Sequence, residues 1–428
     1  MKQLRFQTPT GTHDILPEDE PFYQRIMRVA QDIAQFYGFQ KIETPILEQA
    51  ELFSRGVGLS PDIVEKQMYT LRTRGGDLLT LRPEGTAPVA RAYTEHGMIN
   101  LPQPVKLWYW GPFFRYEHPQ AGRLRQFYQF GLEVFGEESA AQDAQIIQIF
   151  YAILQELRLK DLVCEINSIG DNQCRPYYKK MLVSYFKSKA QGLCIDCRRR
   201  LKENPLRILD CKEEKCQRTL AQAPQMIDHL CEECHKHLKE VLEFLDEIAI
   251  PYHLNPFLVR GLDYYTKTVF EIYEGKPTDD QPRQTALAGG GRFDGLLKII
   301  GGRPMPACGG AAGVERIITV LKARQIKMPA PASPKVFLAQ LGVLAKRKAL
   351  KLLEELRRAG IAASESVGKD SLKTQLGRAN KIQVKYTLIL GQREALEGSI
   401  IIREMESGRQ ETVKIEKVVG ELKKRLKK

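Results

Sequence analysis

The chain has 428 residues, 43% of them hydrophobic and 27% charged, a composition that excludes a disordered chain or a fibrous repeat and predicts two or three domains. The formal net charge is +13, and +11 of it lies in residues 331–428, where 22 lysines and arginines accompany 11 acidic residues. This placement predicts a basic segment that binds a polyanion and a nearly neutral body with another role, although a lysine-rich surface that only maintains solubility would have the same composition.

The N-terminal part is predicted to be a helix followed by a strand. Apolar residues recur at helical spacing over residues 17–37, and Gly38 is suited to end the helix. Residues 39–47 have the pattern of a strand, and Pro45 within it predicts a sheet edge or an interface. The chain starts without the apolar core of a signal peptide, and no stretch approaches the roughly 18 apolar residues of a membrane span. We therefore expect a cytoplasmic protein.

The turn at residues 81–86 precedes a predicted helix and contains the first candidate site. Glu84 and Thr86 offer a carboxylate and a hydroxyl, which together suit the ammonium group of a ligand. The structural alternative is that Thr86 only caps the helix.

An aromatic-rich segment is predicted to form a hairpin of two strands, 107–117 and 127–135, around a polar loop. Arg115 and Glu117 are two residues apart and would share one face of a strand. A guanidinium there suits a phosphate, and the carboxylate suits an adjacent amino group.

The rest of the hairpin adds further polar candidates. Arg123 and Arg125 lie in the loop, where they could reach phosphates. Gln129 and Glu133 share a face of the return strand amid apolar residues, a pattern typical of a ligand pocket, although a solvated sheet face is the alternative.

Residues 171–250 are predicted to be a helical insertion within a β-rich domain, and seven of the nine cysteines lie there. Two C-x-x-C pairs predict a tetrahedral thiolate site for structural zinc, formed by Cys194, Cys197, Cys231 and Cys234. Cys211 and Cys216 are further candidates for the four positions, and Cys174 is expected to be a bystander. The alternative is a set of reduced thiols without metal.

After the insertion, an alternating strand pattern covers residues 259–273 and includes Arg260, Tyr264 and Tyr265, a cation beside two phenols that suit a charged ligand. Two glycine-rich segments follow, at 288–295 and 309–317. Their glycines would let the backbone approach a nucleotide, although glycine also serves close strand packing.

The C-terminal residues are predicted to form a compact α/β domain with a mixed sheet. The predicted elements are strand 336–341, helix 346–359, helix 371–379, strand 384–390, a hairpin over 399–415 with its turn at Ser407 and Gly408, and a basic helix over 411–428.

Together these segments resemble a known family. The Pro45 strand, the FRYE hairpin and the glycine-rich strand ending in residues 313–316 (GVER) resemble, in order, the three signature motifs of class II aminoacyl-tRNA synthetases. RPEGT, the segment 129–133 and RGLDYYT resemble histidyl-tRNA synthetases in particular. The resemblance runs from about Thr10 to the C-terminus, with one departure before the third motif, where residues 306–312 are smaller than expected around the floor of a nucleotide site.

The resemblance implies an α+β fold and a domain plan. An antiparallel-sheet class II catalytic domain is expected over residues 1–325, with the helical cysteine-rich insertion at about 171–250. A linker at 326–334 would lead to a C-terminal α/β anticodon-binding domain at 335–428. A homodimer whose interface includes the Pro45 strand is also implied.

The implied activity is the joining of histidine to histidine tRNA. Histidine and ATP, with Mg²⁺, would give histidyl adenylate and pyrophosphate, and histidine would then pass to the 3′ end of the tRNA without a covalent enzyme intermediate. The ATP-binding residues would be Arg115, Glu117, Arg260 and Arg316, with Arg260 and Arg115 catalytic. The histidine-binding residues would be Glu84, Thr86, Gln129, Glu133, Tyr264 and Tyr265. The residues near the tRNA acceptor end would be Gln120, Arg123 and Arg125.

Two other hypotheses fit parts of the sequence. One is a histidine-sensing regulatory subunit of an ATP phosphoribosyltransferase, which resembles the catalytic domain but typically lacks an anticodon domain. The other is a non-enzymatic RNA-binding protein with a basic tail and a zinc knuckle. The retention of Arg115, Arg260 and Arg316 disfavours the first, and the second leaves the pocket residues unexplained.

Overall fold

The computed structural model describes residues 6–56, 66–117, 123–275, 286–328, 333–366, 368 and 371–427. The chain divides into two compact units, Met1–Met328 and Pro329–Lys428. Among the described helices, none combines the length and the apolar character that a bilayer crossing requires.

The first unit combines helices with a large sheet and a small one. Its helices are α1 (Glu20–Phe36), α2 (Ala50–Gly56), α3 (Thr86–Glu95), α4 (Ala140–Glu156), α5 (Arg175–Ser188), α6 (Ile195–Glu203), α7 (Glu214–Leu220), α8 (Glu232–Glu247), α9 (Leu296–Ile299) and α10 (Val314–Ala323). Its strands are β1 (Gln40–Lys41), β2 (Leu47–Gln49), β3 (Tyr69–Arg72), β4 (Leu78–Leu81), β5 (Val105–Phe114), β6 (Gln126–Phe135), β7 (Leu162–Ser168), β8 (Tyr252–Leu254), β9 (Thr266–Glu274), β10 (Ala288–Arg292) and β11 (Ala307–Gly313).

The large sheet has the strand order β1-β5-β6-β11-β10-β9-β7-β8 and is antiparallel except at its two ends. The antiparallel catalytic sheet expected from the sequence is therefore confirmed. Side chains alternate across it: Phe130 and Leu132 of β6 pack with α1, α4 and α10 on one face. The opposite face, which carries α3, receives Gln129 and Glu133.

The segment around Pro45 differs from the prediction. The helix before it is confirmed as α1, and Gly38 follows that helix with φ of +80°. The single strand expected over residues 39–47 is wrong, because the chain leaves the large sheet after β1 and enters a separate sheet at β2. The intervening backbone is held by Arg82 instead, whose Nη1 donates to the Thr44 carbonyl at 2.8 Å.

The helical insertion predicted at about 171–250 contains α5 to α8, which lie between β7 and β8. Its core is a separate buried cluster that includes Tyr178, Leu182, Phe186 and five cysteines. The strand expected from Val259 begins only at Thr266, so Arg260 to Tyr265 form a loop before β9.

The second unit is built around a five-stranded mixed sheet, as predicted. Its elements are β12 (Val336–Gln340), α11 (Val343–Arg358), β13 (Ala363–Glu365), α12 (Leu372–Lys381), β14 (Tyr386–Leu390), α13 (Gln392–Glu397), β15 (Ser399–Glu404), β16 (Gln410–Lys414) and α14 (Ile415–Lys427). The strand order is β13-β12-β14-β15-β16. The short elements β13 and α13 were not predicted, and the last helix begins later than expected because Gln410–Lys414 pairs with β15.

Candidate active site

One cavity on the α3 face of the large sheet gathers most of the predicted site residues. It encloses about 840 Å³, a volume that includes the part open to solvent. The predicted residues that line it are Glu84, Thr86, Arg115, Glu117, Arg123, Gln129, Arg260, Tyr264, Tyr265 and Arg316. Glu133 and Arg125 are not in the lining, and Gln120 lies outside the described residues.

The floor of the cavity depends on small residues in β11. Gly313, Ala311 and Gly309 pair with Gln129, Gly131 and Glu133 of β6. A Cβ at Gly309 would lie 2.0 Å from Glu133 Oε2, so only glycine leaves space for the carboxylate. The small residues before the third motif, which the sequence left unexplained, thus make room for the side chains of the neighbouring strand.

Glu84 is oriented by the start of α3. Its carboxylate accepts hydrogen bonds from the backbone N–H of Thr86 at 2.7 Å and of Ala87 at 2.9 Å, so Glu84, rather than Thr86, satisfies the helix N-terminus. Burial raises the pKa of Glu84, although the two N–H groups oppose that shift. A buried carboxylate of this kind is ready to accept a ligand ammonium.

Glu133 lies behind the lining and is fully buried. Thr86 Oγ1 donates to Glu133 Oε1 at 2.7 Å, and Tyr109 Oη lies 3.4 Å from the same oxygen. Glu133 Oε2 has no hydrogen-bond partner among the described residues. Burial therefore raises the pKa of Glu133 well above its ordinary value.

The two phenols of the RGLDYYT segment stand beside these carboxylates. Tyr264 donates to Glu84 Oε2 at 3.3 Å, and its ring packs against the ring of Tyr265 with centroids 4.7 Å apart. Burial raises the pKa of both phenols, so both remain neutral hydrogen-bonding groups at pH 7.

Arg115 and Glu117 lie side by side, but beyond the end of the strand in which they were predicted. The strand β5 ends at Phe114, and the backbone N–H of Arg115 donates to the Arg125 carbonyl at 2.9 Å. Arg115 Nε donates to the Pro83 carbonyl at 2.8 Å, and its Nη1 lies 4.0 Å from Glu117 Oε1. These contacts hold the guanidinium at the cavity wall.

Arg260 is positioned from the neighbouring strand β9. It forms an ion pair with Glu271, which also accepts from the hydroxyl of Tyr273. Burial opposes the charge on Arg260, but Glu271 together with the neighbouring tyrosines outweighs burial and raises the pKa of Arg260. A Cβ at Gly289 would lie 2.7 Å from Arg260 Nη1, so this glycine also serves a site side chain.

Like charges converge around Arg316 in the cavity. Burial, followed by repulsion from Arg115 and Arg123, lowers the pKa of Arg316 to about 10. Arg316 remains charged at pH 7, and its Nη1 donates to the Ala286 carbonyl at 3.0 Å. Arginines that repel one another in a half-buried cavity favour a polyanionic ligand such as a polyphosphate.

The loop arginines have different positions. Arg123 lines the cavity, with Nη1 3.7 Å from Glu117 Oε2. Arg125 turns back to the protein instead: its guanidinium lies 3.9 Å from the ring centroid of Tyr116 and donates to the Glu117 carbonyl at 3.2 Å.

Three residues at or beside the cavity were not predicted from the sequence. They are Tyr109, packed between Gly85 and Gly131; Glu271, the partner of Arg260; and Glu315, which accepts from the backbone N–H of Tyr128 at 2.9 Å. The signal for Glu271 was a carboxylate between Phe270 and Ile272 in the middle of a strand.

The predicted grouping of cysteines is wrong. The structure forms two separate groups of potential metal ligands, Cys194 with Cys197, Cys211 and Cys216, and Cys231 with Cys234, Cys174 and Asp171. The two C-x-x-C pairs therefore do not meet, because each begins a different helix, α6 or α8. Cys174 is a member of the second group rather than a bystander.

Comparisons with known proteins show which family the chain resembles. The Histidyl-tRNA synthetase family profile matches residues 11–317, and the Anticodon binding domain profile matches residues 335–425. A histidine–tRNA ligase of Dehalococcoides mccartyi is 45% identical over 425 residues, covering 98% of this chain and all of the relative. One of Desulforamulus reducens is 45% identical over 411 residues, covering 96% and 97%. The structure of apo S. aureus histidyl-tRNA synthetase aligns with a TM-score of 0.79 at 36% identity, covering 97% of this chain and 99% of the other.

Proposed function

Because the chain belongs to the histidyl-tRNA synthetase family and is a histidine–tRNA ligase, we propose that the cavity on the α3 face activates histidine with ATP and transfers it to tRNA. The observation that carries this assignment is that one cavity combines cationic and anionic side chains. Arg115, Arg260 and Arg316 line it together with the buried carboxylate of Glu84, which accepts from one of the two phenols, Tyr264. ATP and an amino acid require these two environments.

The arginine-lined part would bind ATP. Arg115 would hold the α-phosphate and Arg316 the triphosphate, while Glu117 would accept from the adenine amino group. Mg²⁺ would enter bound to the phosphates. Mg²⁺ prefers oxygen ligands. The carboxylates of Glu117 and Glu271, which lie beside Arg115 and Arg260, could supply one.

The carboxylate-lined part would bind histidine. Glu84, Thr86 and Gln129 would bind its ammonium group. Tyr265, with Tyr264 beside it, would contact the imidazole, and Glu133, which lies just behind the lining, would take part in its recognition. Because a site that leaves buried polar groups unpaired rejects analogues strongly, this arrangement would discriminate against amino acids without an imidazole by roughly 10⁴-fold or more.

The chemistry would require charge stabilisation rather than a nucleophile from the protein. A carboxylate oxygen of histidine would attack the α-phosphorus, the bond to the β-phosphate oxygen would break, and pyrophosphate would leave. Arg260, rigidly paired with Glu271, would face the negative charge that grows on the α-phosphate. A hydroxyl of the terminal tRNA adenosine would then attack the histidyl carbonyl and release AMP.

The remaining assignments concern the tRNA and the setting of the enzyme. The second unit would bind the anticodon arm of the tRNA as an anticodon-binding domain at 335–428. A linker at 326–334 would join it to a catalytic domain at 1–325. Arg123, with Gln120 and Arg125, would lie near the acceptor end. We also infer a cytoplasmic homodimer. The dimer is supported by the exposed apolar side chains of Ile46 and Leu47 beside Pro45.

The proposal is tested by histidine-dependent exchange of pyrophosphate into ATP, followed by charging of histidine tRNA. Both activities are expected from the purified chain. Exchange with histidine but no charging would contradict the tRNA assignment, and histidine binding without exchange would indicate a regulatory, histidine-sensing role.

A further inference from the structure

The helical insertion holds two groups of metal-ligating side chains outside the cavity. The four-cysteine site consists of Cys194, Cys197, Cys211 and Cys216, and the mixed site of Asp171, Cys174, Cys231 and Cys234. In each, the four potential ligand atoms lie within 4.8 Å of one another. We propose that each site binds one Zn²⁺ ion, so that the chain carries two structural zinc sites.

The distances between sulfur atoms fit tetrahedral zinc. Cys194 Sγ lies 3.9 Å from Cys211 Sγ, and Cys174 Sγ lies 3.8 Å from Cys234 Sγ. Zn–S bonds of about 2.3 Å at tetrahedral angles place two sulfur atoms about 3.8 Å apart. A disulfide would need about 2.05 Å, so these pairs are not disulfides.

The four-cysteine site has the environment that thiolates need. Cys194 is the N-cap of α6 and Cys197 is its third helical residue, so both sulfur atoms lie at the positive end of a helix. The backbone N–H of Cys194 donates to Cys216 Sγ at 3.2 Å, and that of Cys197 donates to Cys194 Sγ at 3.4 Å. Such N–H···S bonds orient and stabilise metal-bound thiolates. Three of its four cysteines are buried, as in closed structural sites.

The mixed site is built from two helix starts and one fixed carboxylate. Cys231 is the N-cap of α8 and Cys174 that of α5. Asp171 Oδ1 lies 3.4 Å from Cys174 Sγ and 3.8 Å from Cys231 Sγ, and the backbone N–H of Gln173 donates to it at 2.8 Å. Gly170 has φ of +64°, and a Cβ there would lie 2.6 Å from Cys174 Sγ. The backbone is therefore shaped around the sulfur.

The cysteines of the two sites belong to the core of the insertion. Five of the members of its separate buried cluster are these cysteines, beside Tyr178, Leu182 and Phe186. A structural zinc site contributes directly to folding energy, because its ligands come together only in the folded state. Two zinc ions would supply that stabilisation in a cytoplasmic, reducing environment.

The metal-held elements support the loop that carries Arg260, a consequence that rests on the proposed function. Asn204 Nδ2, just after α6, donates to Asp263 Oδ1 at 2.7 Å, and Arg207 Nη1 donates to the Arg260 carbonyl at 3.4 Å. Arg175 of α5 donates from Nη2 to the Tyr265 carbonyl at 2.6 Å. Loss of either zinc should therefore disturb the loop between Arg260 and Tyr265.

The test is the zinc content of the full chain, purified without added metal and measured by elemental mass spectrometry. Two zinc ions per chain are expected. The double variant Cys211→Ser with Cys216→Ser should retain only the mixed site, and Cys231→Ser with Cys234→Ser only the four-cysteine site. Cys164→Ala is the matched control, because this buried thiol lies in β7 outside both groups and its loss should leave two ions.

A second measurement does not depend on the folding of variants. Wild-type protein produced in cobalt-supplemented medium should show the intense visible absorption of tetrahedral cobalt–thiolate sites at about two equivalents. One zinc ion or none in the wild type, or cobalt spectra without tetrahedral thiolate bands, would overturn the proposal. The two proposals can fail separately. A chain that contains two zinc ions but does not catalyse pyrophosphate exchange would confirm the metal sites and contradict only the catalytic assignment.

Discussion

Arg260 brings a buried positive charge into the cavity, where Glu271 fixes its orientation. The variant Arg260→Ala is expected to fold but to lose about 10²-fold or more in kcat/KM for histidine-dependent pyrophosphate exchange, because a preorganised charge acts where negative charge develops in the transition state. The measurement is steady-state exchange at several ATP and histidine concentrations.

The control for this variant removes an arginine that has no role in the cavity. Arg28→Ala, at an exposed position of α1, should leave exchange unchanged. Melting curves of both variants establish that they fold. Near-normal exchange by Arg260→Ala would exclude Arg260 from the activation step.

Glu315 gives the protein a specific dependence of stability on pH. Burial raises its pKa from 4.5 to about 7, although the N–H of Tyr128 and the hydroxyl of Tyr23 oppose the shift. The folded state therefore binds this proton more tightly than the unfolded state. The resulting stabilisation is complete below the ordinary pKa and is lost as the pH rises through about 7.

The variant Glu315→Gln isolates this effect, since an amide keeps a hydrogen-bond acceptor but does not titrate. The free energy of unfolding of the wild type relative to the variant should fall by up to about 3 kcal/mol as the pH rises from about 5 to 8. Denaturant titrations across that interval measure it. Parallel pH profiles for the two proteins would show that Glu315 does not titrate in this range.

Sequence motifs identified several residues that line the cavity, but they did not identify the side chains that contact those residues. Arg115, Arg260 and Glu84 were identifiable because their neighbours in sequence form specific motifs. The pairing of Arg260 with Glu271 was not, because strand register brings together residues that are eleven positions apart. Cysteine spacing was similarly insufficient, since it could not decide which sulfur atoms meet across α5, α6 and α8.

At the scale of elements, a buried ionic cluster joins β10, α4 and α8. Arg292 is fully buried and donates to Asp143 Oδ2 from Nη2 at 2.8 Å, and His237 Nε2 lies 2.8 Å from the same oxygen. Arg292→Met should lower the free energy of unfolding of the first unit by about 3–5 kcal/mol, because it leaves a buried carboxylate with fewer charged partners. Urea unfolding followed by tryptophan fluorescence measures this unit, since both tryptophans of the chain lie in β5.

A surface ion pair provides the comparison for Arg292. Arg55→Ala removes the partner of Glu51 within α2, where both side chains are largely exposed, and should change the same free energy by no more than about 0.5 kcal/mol. Equal effects of the two substitutions would show that the buried cluster does not join these elements.

Long elements were predictable because their periodicity is local. The helix α1 and the strands of the β5–β6 hairpin follow directly from apolar spacing and turn residues. The short strands β1, β2 and β13 were not resolved correctly, since only pairing with distant strands defines them. Likewise, the Arg260 loop has the composition of a strand, but contacts from the insertion hold it away from the sheet.

At the scale of the whole molecule, charge and chemistry are divided between the two units. All residues that line the cavity belong to Met1–Met328, whereas residues 331–428 carry +11 of the net charge. The charge of the second unit can be counted from the sequence without knowledge of the fold. Phosphate contacts from such a unit supply affinity that falls with salt concentration.

Removal of Pro329–Lys428 should therefore separate the two half-reactions. Pyrophosphate exchange should remain within about twofold of the full chain, since no cavity residue is lost. The kcat/KM for tRNA charging should fall by about 10²-fold or more, because basic contacts with the nucleic acid backbone dominate binding. In the full chain, added salt should raise KM for tRNA steeply and leave KM for histidine nearly constant. Pyrophosphate exchange measured on the same truncated preparation is the internal control. If that preparation charged tRNA as well as the full chain does, the basic unit would not be the tRNA-binding domain.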